Sequence, residues 1–310
     1  TFNPDPYGQP KNFPPGTAAI SVDAADPDFQ MPRVMRATLA YDRELPWGFR
    51  GTAEFMYTQT VKDVYYQNLN KVPTGAVSWD GRPLYKNYSS KFRDIPYLTN
   101  TGQGEQKNFA LTLEKRWDFG LYFSGTYAYM DAESAFEGTS SRAISNWQYH
   151  PTRGDIYNAE TSRSYWEIED RFNFIVSQVF RTGPLTHNVG LFYSVQSGNP
   201  YSTLMGSDMN GDGYSTNDLV YIPNSTDDFI LQGATPEQWE KFLDWSGLDA
   251  YRGDVIKRNA SVTPWNRSLD FHYDLELPIK VVRTQVTFDV LNLLNLIDKD
   301  KGAVWYVSNN

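Results

Sequence analysis

"NFALTLEKRWDFGLYFSGTYAYM", residues 108–130, is the stretch whose pattern decides the fold. Phe109, Leu111, Leu113 and Trp117 alternate with Asn108, Thr112, Glu114 and Arg116. After Asp118-Phe119-Gly120, Leu121, Phe123, Gly125, Tyr127 and Tyr129 alternate with Ser124 and Thr126. A period of two is the period of a strand, and a three-residue loop with glycine at its left-handed position joins two strands into a hairpin. Turning there sets Trp117 opposite Leu121, Leu113 opposite Gly125 and Phe109 opposite Tyr129. The two apolar faces then coincide, as register requires.

The same construction recurs in three places. Residues 33–58 turn around Pro46-Trp47-Gly48, and residues 168–197 turn around Thr182-Gly183-Pro184. In residues 268–292, Leu269, Phe271, Tyr273, Leu275 and Leu277 share a face, as do Val282, Val286, Phe288 and Val290. A turn at Ile279-Lys280 predicts Leu277 opposite Val282, Phe271 opposite Phe288, Glu276 opposite Arg283 and Asp270 opposite Asp289, with the last strand climbing over 281–294. Four hairpins with agreeing registers make a β meander.

The connections between hairpins, roughly 67–103, 134–165 and 199–266, are long and rich in Gly, Ser, Asn, Asp and Tyr. Loops of this length are uncommon in compact soluble domains. Short turns at one end and long loops at the other form the asymmetry of an outer-membrane barrel, and strands of about ten residues can cross a bilayer at a tilt. Trp47, Phe49, Trp117, Phe119 and Phe180 cluster by the short turns, as an interfacial aromatic belt would. The opposite face carries Arg36, Arg50, Glu54, Glu114, Asp270, Asp274, Glu276, Arg283 and Asp289, which suits a watered lumen. The predicted fold class is all-β: about eight strands of an antiparallel up-and-down transmembrane β-barrel with long extracellular loops, spread over residues 1–310. The alternative that alternation leaves open is a soluble antiparallel sandwich, such as a β-rich carbohydrate-binding module. Another is a small eight-stranded barrel that binds without transporting, as an adhesin would.

Composition narrows the function classes. The 310 residues carry 37 acidic against 28 basic side chains, a net charge of −9, which argues against a nucleic-acid partner. There is no cysteine, so disulfides and cysteine-based zinc sites are excluded. Mean hydropathy is −0.56, and no apolar run approaches the length of a membrane helix. The start, "TFNPDPYGQP", has no signal-peptide pattern, and nothing after residue 294 supplies a descending strand. The expectation is an interior piece of a larger barrel, lacking its beginning and its last strand.

Two loop features invite a chemical reading. In "SDMNGDGYSTNDLVYIP", residues 207–223, Asp208, Asn210, Asp212 and Gly213 match positions one, three, five and six of a calcium loop. Position twelve is Leu219 rather than glutamate, and Asp218 offers a carboxylate one residue early. A structural calcium held by Asp208, Asn210, Asp212 and Asp218 stands beside a tight Asx/Gly turn in which these side chains bind their own backbone. In residues 146–166, Trp147, Tyr149, Tyr157, Tyr165 and Trp166 are rings that stack on peptides or sugars, and that also pack long loops. "TPEQWEKFLDW" predicts a short helix with Thr235 as N-cap, Pro236 first and Gln238 closing a capping box. His150, His187 and His272 are scattered without a metalloprotease or nucleophile motif, so no enzyme activity and no catalytic residue are expected.

The stretch from "SGNPYSTLMGSDMNGDG" through "PWNRSLDFHYDLELP" resembles the C-terminal barrel region of TonB-dependent outer-membrane receptors, in particular the Oar-like branch. The residues that carry the likeness are the "NGDG…ND…YIP" loop, "YRG…RN" at 251–259, "PWNRSLD" at 264–270 and "FDVLNLLN" at 288–295. They cover residues 198–295, and the earlier strands match in style alone. The resemblance implies a barrel of about 22 strands around an N-terminal plug. It implies location in the outer membrane of a Gram-negative bacterium, and contact with outer-membrane lipid and with the rest of the receptor. It also implies uptake of a bulky extracellular ligand, powered by the TonB energy-coupling complex acting on the plug.

Overall fold

The structure, a computed structural model, describes residues 5, 7, 8, 19–158, 160–279 and 281–307. Eight long strands dominate it: β1 (Arg33–Leu45), β2 (Phe49–Asn68), β3 (Gly104–Arg116), β4 (Leu121–Ser134), β5 (Asp170–Thr182), β6 (Leu185–Gln196), β7 (Asn266–Leu277) and β8 (Thr284–Val290). Each pairs antiparallel with its neighbour in sequence, so the sheet runs β1 to β8 in chain order. The sheet is open. β1 and β8 form its two edges and do not pair with one another among the described residues.

The hairpin at 118–120 has the register its alternation implies, with Leu113 opposite Gly125 and Phe109 opposite Tyr129. The Trp117 amide donates to the Leu121 carbonyl at 2.9 Å, closing the turn. Gly120 sits at φ +95°, and a Cβ there would lie 2.2 Å from the Val179 carbonyl oxygen. Only glycine fits, for both conformational and steric reasons.

The last hairpin departs from expectation by two residues. Leu277 pairs with Thr284, Tyr273 with Phe288, and Phe271 with Val290. Pro278 has no N–H to continue the ladder, so β7 stops at Leu277 and the connection spans 278–283, of which Lys280 lies outside the described residues. A shift of two keeps every side chain on its predicted face but changes its partner. Asp289 therefore meets His272 rather than Asp270, and the expected like-charge pair does not form. The His272 ring lies 2.6 Å from Asp289 and 2.7 Å from Asp274, while Arg283 still reaches Glu276 at 3.2 Å. β8 also ends earlier than the expected 294. Asn292 turns into the left-handed region and a short helix, α3 (Leu293–Ile297), follows.

Two adjacent rows across the sheet show what each face is for. One reads Gly51, Leu113, Gly125, Phe174, Tyr193, Leu269; the next reads Thr52, Thr112, Thr126, Asn173, Ser194, Ser268. Polar rows link sideways, with the Thr112 and Thr126 hydroxyls 3.1 Å apart and Ser194 donating to Asn173 at 2.9 Å. Among the described residues nothing covers the apolar face. Leu39 is 73% exposed and Phe288 57%, and Leu111, Phe174 and Leu191 are exposed as well. A soluble sandwich would bury these side chains under a second layer, and among the described residues no second layer packs on them. No helix among the described residues is long and apolar enough to cross a membrane, so any crossing is made by strands.

The core lies instead in the long connections. Leu219, Ile222, Leu243, Leu248, Val255 and Ile256 form one buried cluster, and Tyr85, Trp147 and Ile156 another. Two helices lie in these connections, α1 (Ala143–Gln148) and α2 (Pro236–Ser246), and α2 begins as the sequence predicts. Thr235 accepts from the Gln238 amide, Gln238 reaches back to the Thr235 amide, and Leu243 points into the first cluster.

Candidate functional site

The three long connections converge at one end of the sheet into a single cap, held by buried ion pairs between segments distant in sequence. Arg82, from the first connection, is buried against Asp80 at 2.7 Å and Asp218 at 3.0 Å, and donates to the Leu219 carbonyl at 2.8 Å. Arg258, from the third, meets Glu137 of the second at 3.0 Å and also donates to the Ser134 carbonyl. Burial pushes the Arg258 guanidinium down from its usual value, opposed by Glu137. Next to it Asn259 adopts φ +57° and donates to the Arg163 carbonyl at 2.8 Å. The Arg-Asn of "YRG…RN" is thus a clasp between two connections.

The aromatic candidates divide into two groups. Trp147 is buried edge-on to Tyr214 at 5.5 Å, and Tyr157 donates its hydroxyl to the carbonyls of Asn68, at 2.9 Å, and Lys71. Tyr165 is buried except where it borders a cleft. These rings pack the cap. Tyr149 and Trp166 remain exposed, Trp166 at 65%. Tyr149 and Tyr165 come together with Tyr201, Leu204, Met205 and Thr216 around a cleft of about 230 Å³. Trp166 is not part of that lining, and Tyr201, Leu204 and Met205 are members the sequence did not single out. Their only signal was position: they flank the acidic loop, and nothing in local pattern marks them as lining residues.

The acidic loop folds as a nest of Asx turns. Asp208 accepts from the amides of Gly211 (2.7 Å) and Gly213 (2.8 Å), Asn210 from that of Asp212 (2.9 Å), and Asp212 from that of Tyr214 (2.9 Å). Asp218 accepts from the Met209 amide at 2.8 Å and from Arg82. Burial raises the Asp218 carboxyl, with the Met209 amide and Arg82 opposing. Burial also pushes Asp212 up to about 6. Of the four predicted ligands, Asp208, Asn210 and Asp212 stay together in the loop, whereas Asp218 is drawn into an ion pair with Arg82. Among the described residues no three His, Cys, Asp or Glu side chains are grouped as a metal site. The half-buried His150 packs against Phe136 and Tyr65, with ring centroids 4.9 and 6.4 Å away, and desolvation lowers its pKa well below the usual value.

A larger groove, about 630 Å³, lies on the bare apolar face of the sheet, where Gly51 and Gly125 leave a depression among Tyr41, Leu113, Phe123 and Phe174. Its lining comes from the long strands and not from the cap, and it suits lipid chains rather than a polar ligand. At the short-turn end of the same face, Phe49 and Trp117 meet edge-on at 6.0 Å, and the Lys115 ammonium sits 4.6 Å over the Trp117 ring. An apolar band ending in aromatic rings with a cation among them is the pattern of a membrane boundary.

The profile of a family described as "Outer membrane beta barrel domain" matches residues 1–298. Among solved structures the chain is similar to the outer membrane transporter YddB from Escherichia coli, at 9% identity and a TM-score of 0.50, over 90% of this chain and 31% of that one. At that identity the likeness bears on fold alone, and this chain spans about a third of the transporter's length. No curated protein matches the sequence. With a bare apolar wall, a polar opposite face and a family match over nearly its whole length, the chain belongs to the outer membrane β-barrel domain family and resides in the outer membrane.

Proposed function

We propose that this chain forms part of the wall and of the outward-facing cap of a larger, TonB-dependent, Oar-like receptor that imports a bulky ligand. The observation that carries this reading is the open sheet. Among the described residues, eight strands with a lipid-facing side present two unpaired edges, β1 and β8, and unpaired backbone groups are not tolerated in hydrocarbon. Closure therefore needs further strands, which argues against a self-contained eight-stranded adhesin. The chain spans 31% of the transporter it is similar to, which leaves room for the further strands of a barrel of about 22.

In this reading the cap is extracellular and contributes to ligand capture through the tyrosine-lined cleft. Energy enters through a plug contacted by the TonB complex, and no catalytic step is assigned to these residues. The ligand class stays open among peptides, protein fragments, glycans and metal chelates. Two measurements test the proposal. The intact mass of the native polypeptide in the outer-membrane fraction should lie far above 35.5 kDa. Depletion of a peptide or glycan mixture from the medium should be lost both in a deletion strain and when the proton gradient is collapsed. Depletion that persists without the gradient would instead fit a receptor that binds and does not transport.

A further inference from the structure

Two cations stand at the short-turn end of the face that meets lipid. Side chains alternate along a strand, so Arg43 of β1 shares a face with Leu39, Tyr41 and Leu45, while Asp42 and Glu44 lie on the opposite side. There Asp42 meets Arg50 at 3.6 Å. Arg43 is exposed, and among the described residues its guanidinium makes no ion pair or hydrogen bond. Lys115 of β3 is the second cation. It pairs with Phe123, donates to the Trp47 carbonyl, and sits 5.1 Å over the Phe49 ring and 4.6 Å over that of Trp117. An ammonium has three donors, so donors remain after that bond.

Arg43 is the anomaly. Leu45 pairs with Phe49 in the aromatic row by the short turns, and Arg43 pairs with Gly51, one row deeper into the wall. A guanidinium on a hydrocarbon-facing wall is costly unless it reaches interfacial water or a counter-charge. Arg43 borders the groove of about 630 Å³, and no carboxylate lines that groove. Two glycines give the groove its depth. Gly51, Leu113 and Gly125 stand side by side across β2, β3 and β4, with the rings of Phe123 and Phe174 leaning over Gly125.

We propose that this groove binds an anionic phospholipid of the periplasmic leaflet, with an acyl chain along the Gly51–Gly125 hollow and the phosphate held by Arg43 and Lys115. Short turns face the periplasm in outer-membrane barrels, so both cations lie near the headgroups of that leaflet. Only β2 separates the strands that carry them, a span of about 10 Å that two long side chains bridge. A guanidinium meets phosphate oxygens in its plane, and an ammonium meets them as a point charge. Net negative charge sets the lipid class, because a zwitterionic headgroup brings its own ammonium up to two cations. The assignment needs the outer-membrane wall and not the import reading, so either can fail alone.

The test uses the full-length protein, stripped of lipid in detergent and titrated with phosphatidylglycerol or phosphatidylethanolamine under native mass spectrometry. Heat-modifiable gel migration shows that each variant is folded. A cation near an anionic lipid surface contributes about fivefold, so a first phosphatidylglycerol should bind at least about tenfold more tightly than phosphatidylethanolamine. Arg43→Gln and Lys115→Gln should each weaken its binding about fivefold, and the double variant about 25-fold. Arg50→Gln, at the same end of the sheet on the opposite face, should leave it unchanged. Gly51→Ile keeps both cations, fills the hollow and should weaken it too. Equal binding of the two lipids to folded protein would overturn the proposal. So would parental binding in Arg43→Gln, because the guanidinium would then be met by the strand that adjoins β1. An equal loss in Arg50→Gln would also overturn it, because net charge alone would then account for the binding.

Discussion

The Arg82 guanidinium and the Asp218 carboxylate, 136 residues apart in sequence, meet at 3.0 Å with both side chains buried. Removing one partner of such a pair strands the other charge, at about 3–5 kcal/mol. Arg82→Met should therefore loosen the cap without opening the sheet. Limited proteolysis of the full-length protein in rising urea should show cleavage within 199–266 at lower urea than in the parent, with the barrel band intact. Adding Asp218→Asn should restore part of the loss, because only one of the two stranded carboxylates, that of Asp80, then stays charged.

Gly120 should tolerate no side chain. Alanine there combines a left-handed backbone with a Cβ 2.2 Å from the Val179 carbonyl, whereas at Gly183, φ +59°, no atom lies within 4 Å. Gly183→Ala should cost about 1 kcal/mol and Gly120→Ala at least about 2 kcal/mol, read from urea unfolding of the refolded full-length barrel.

The two faces should respond oppositely to charge. Leu111 lies on the bare apolar face, between Ala53 and Tyr127, and Thr112 lies on the polar face between Thr52 and Thr126. Leu111→Arg should destabilise the protein in lipid by about 2–4 kcal/mol, and Thr112→Arg by much less. Equal costs would mean that the apolar face does not meet hydrocarbon.

Asp212 gives the cap a pH dependence when divalent cations are chelated. Burial raises its carboxyl from 3.8 to about 6, so the folded loop holds a proton that the unfolded loop releases earlier. Stability from this group is full below about pH 4 and is lost as pH rises through about 6. At about 1.4 kcal/mol per pH unit the loss is at most about 3 kcal/mol. In chelator, Asp212→Asn should therefore stabilise the cap at pH 7 and not at pH 4, measured by the same proteolysis. A variant that destabilises equally at both pH values would contradict this.

Much of the wall was legible because a strand's period is two and each hairpin must match apolar faces. Leu113 and Gly125 could be paired from the sequence because Gly120 marks the turn. The C-terminal hairpin was legible in its faces and not in its partners. Pro278 ends β7 without a local sign of how long the following connection runs, and a shift by two leaves alternation unchanged. Helix α2 was readable from Thr235, Pro236 and Gln238, all local signals. The cap was not. Arg82–Asp218 and Arg258–Glu137 join residues more than a hundred positions apart, and buried ion pairs leave no periodic trace. Asn217, whose amide holds Asp212 at 2.7 Å, was missed for the same reason: its burial exists only once the connections have closed around it.

The central claim is that one face of the sheet meets lipid and the other water, and the absence of cysteine makes a direct measurement simple. Single cysteines at each position from Phe109 to Glu114 in the full-length protein, spin-labelled in liposomes, should alternate in accessibility. Positions 109, 111 and 113 should respond to oxygen in the bilayer, and positions 110, 112 and 114 to a water-soluble nickel chelate. Uniform response to the chelate along the whole stretch would contradict a membrane wall.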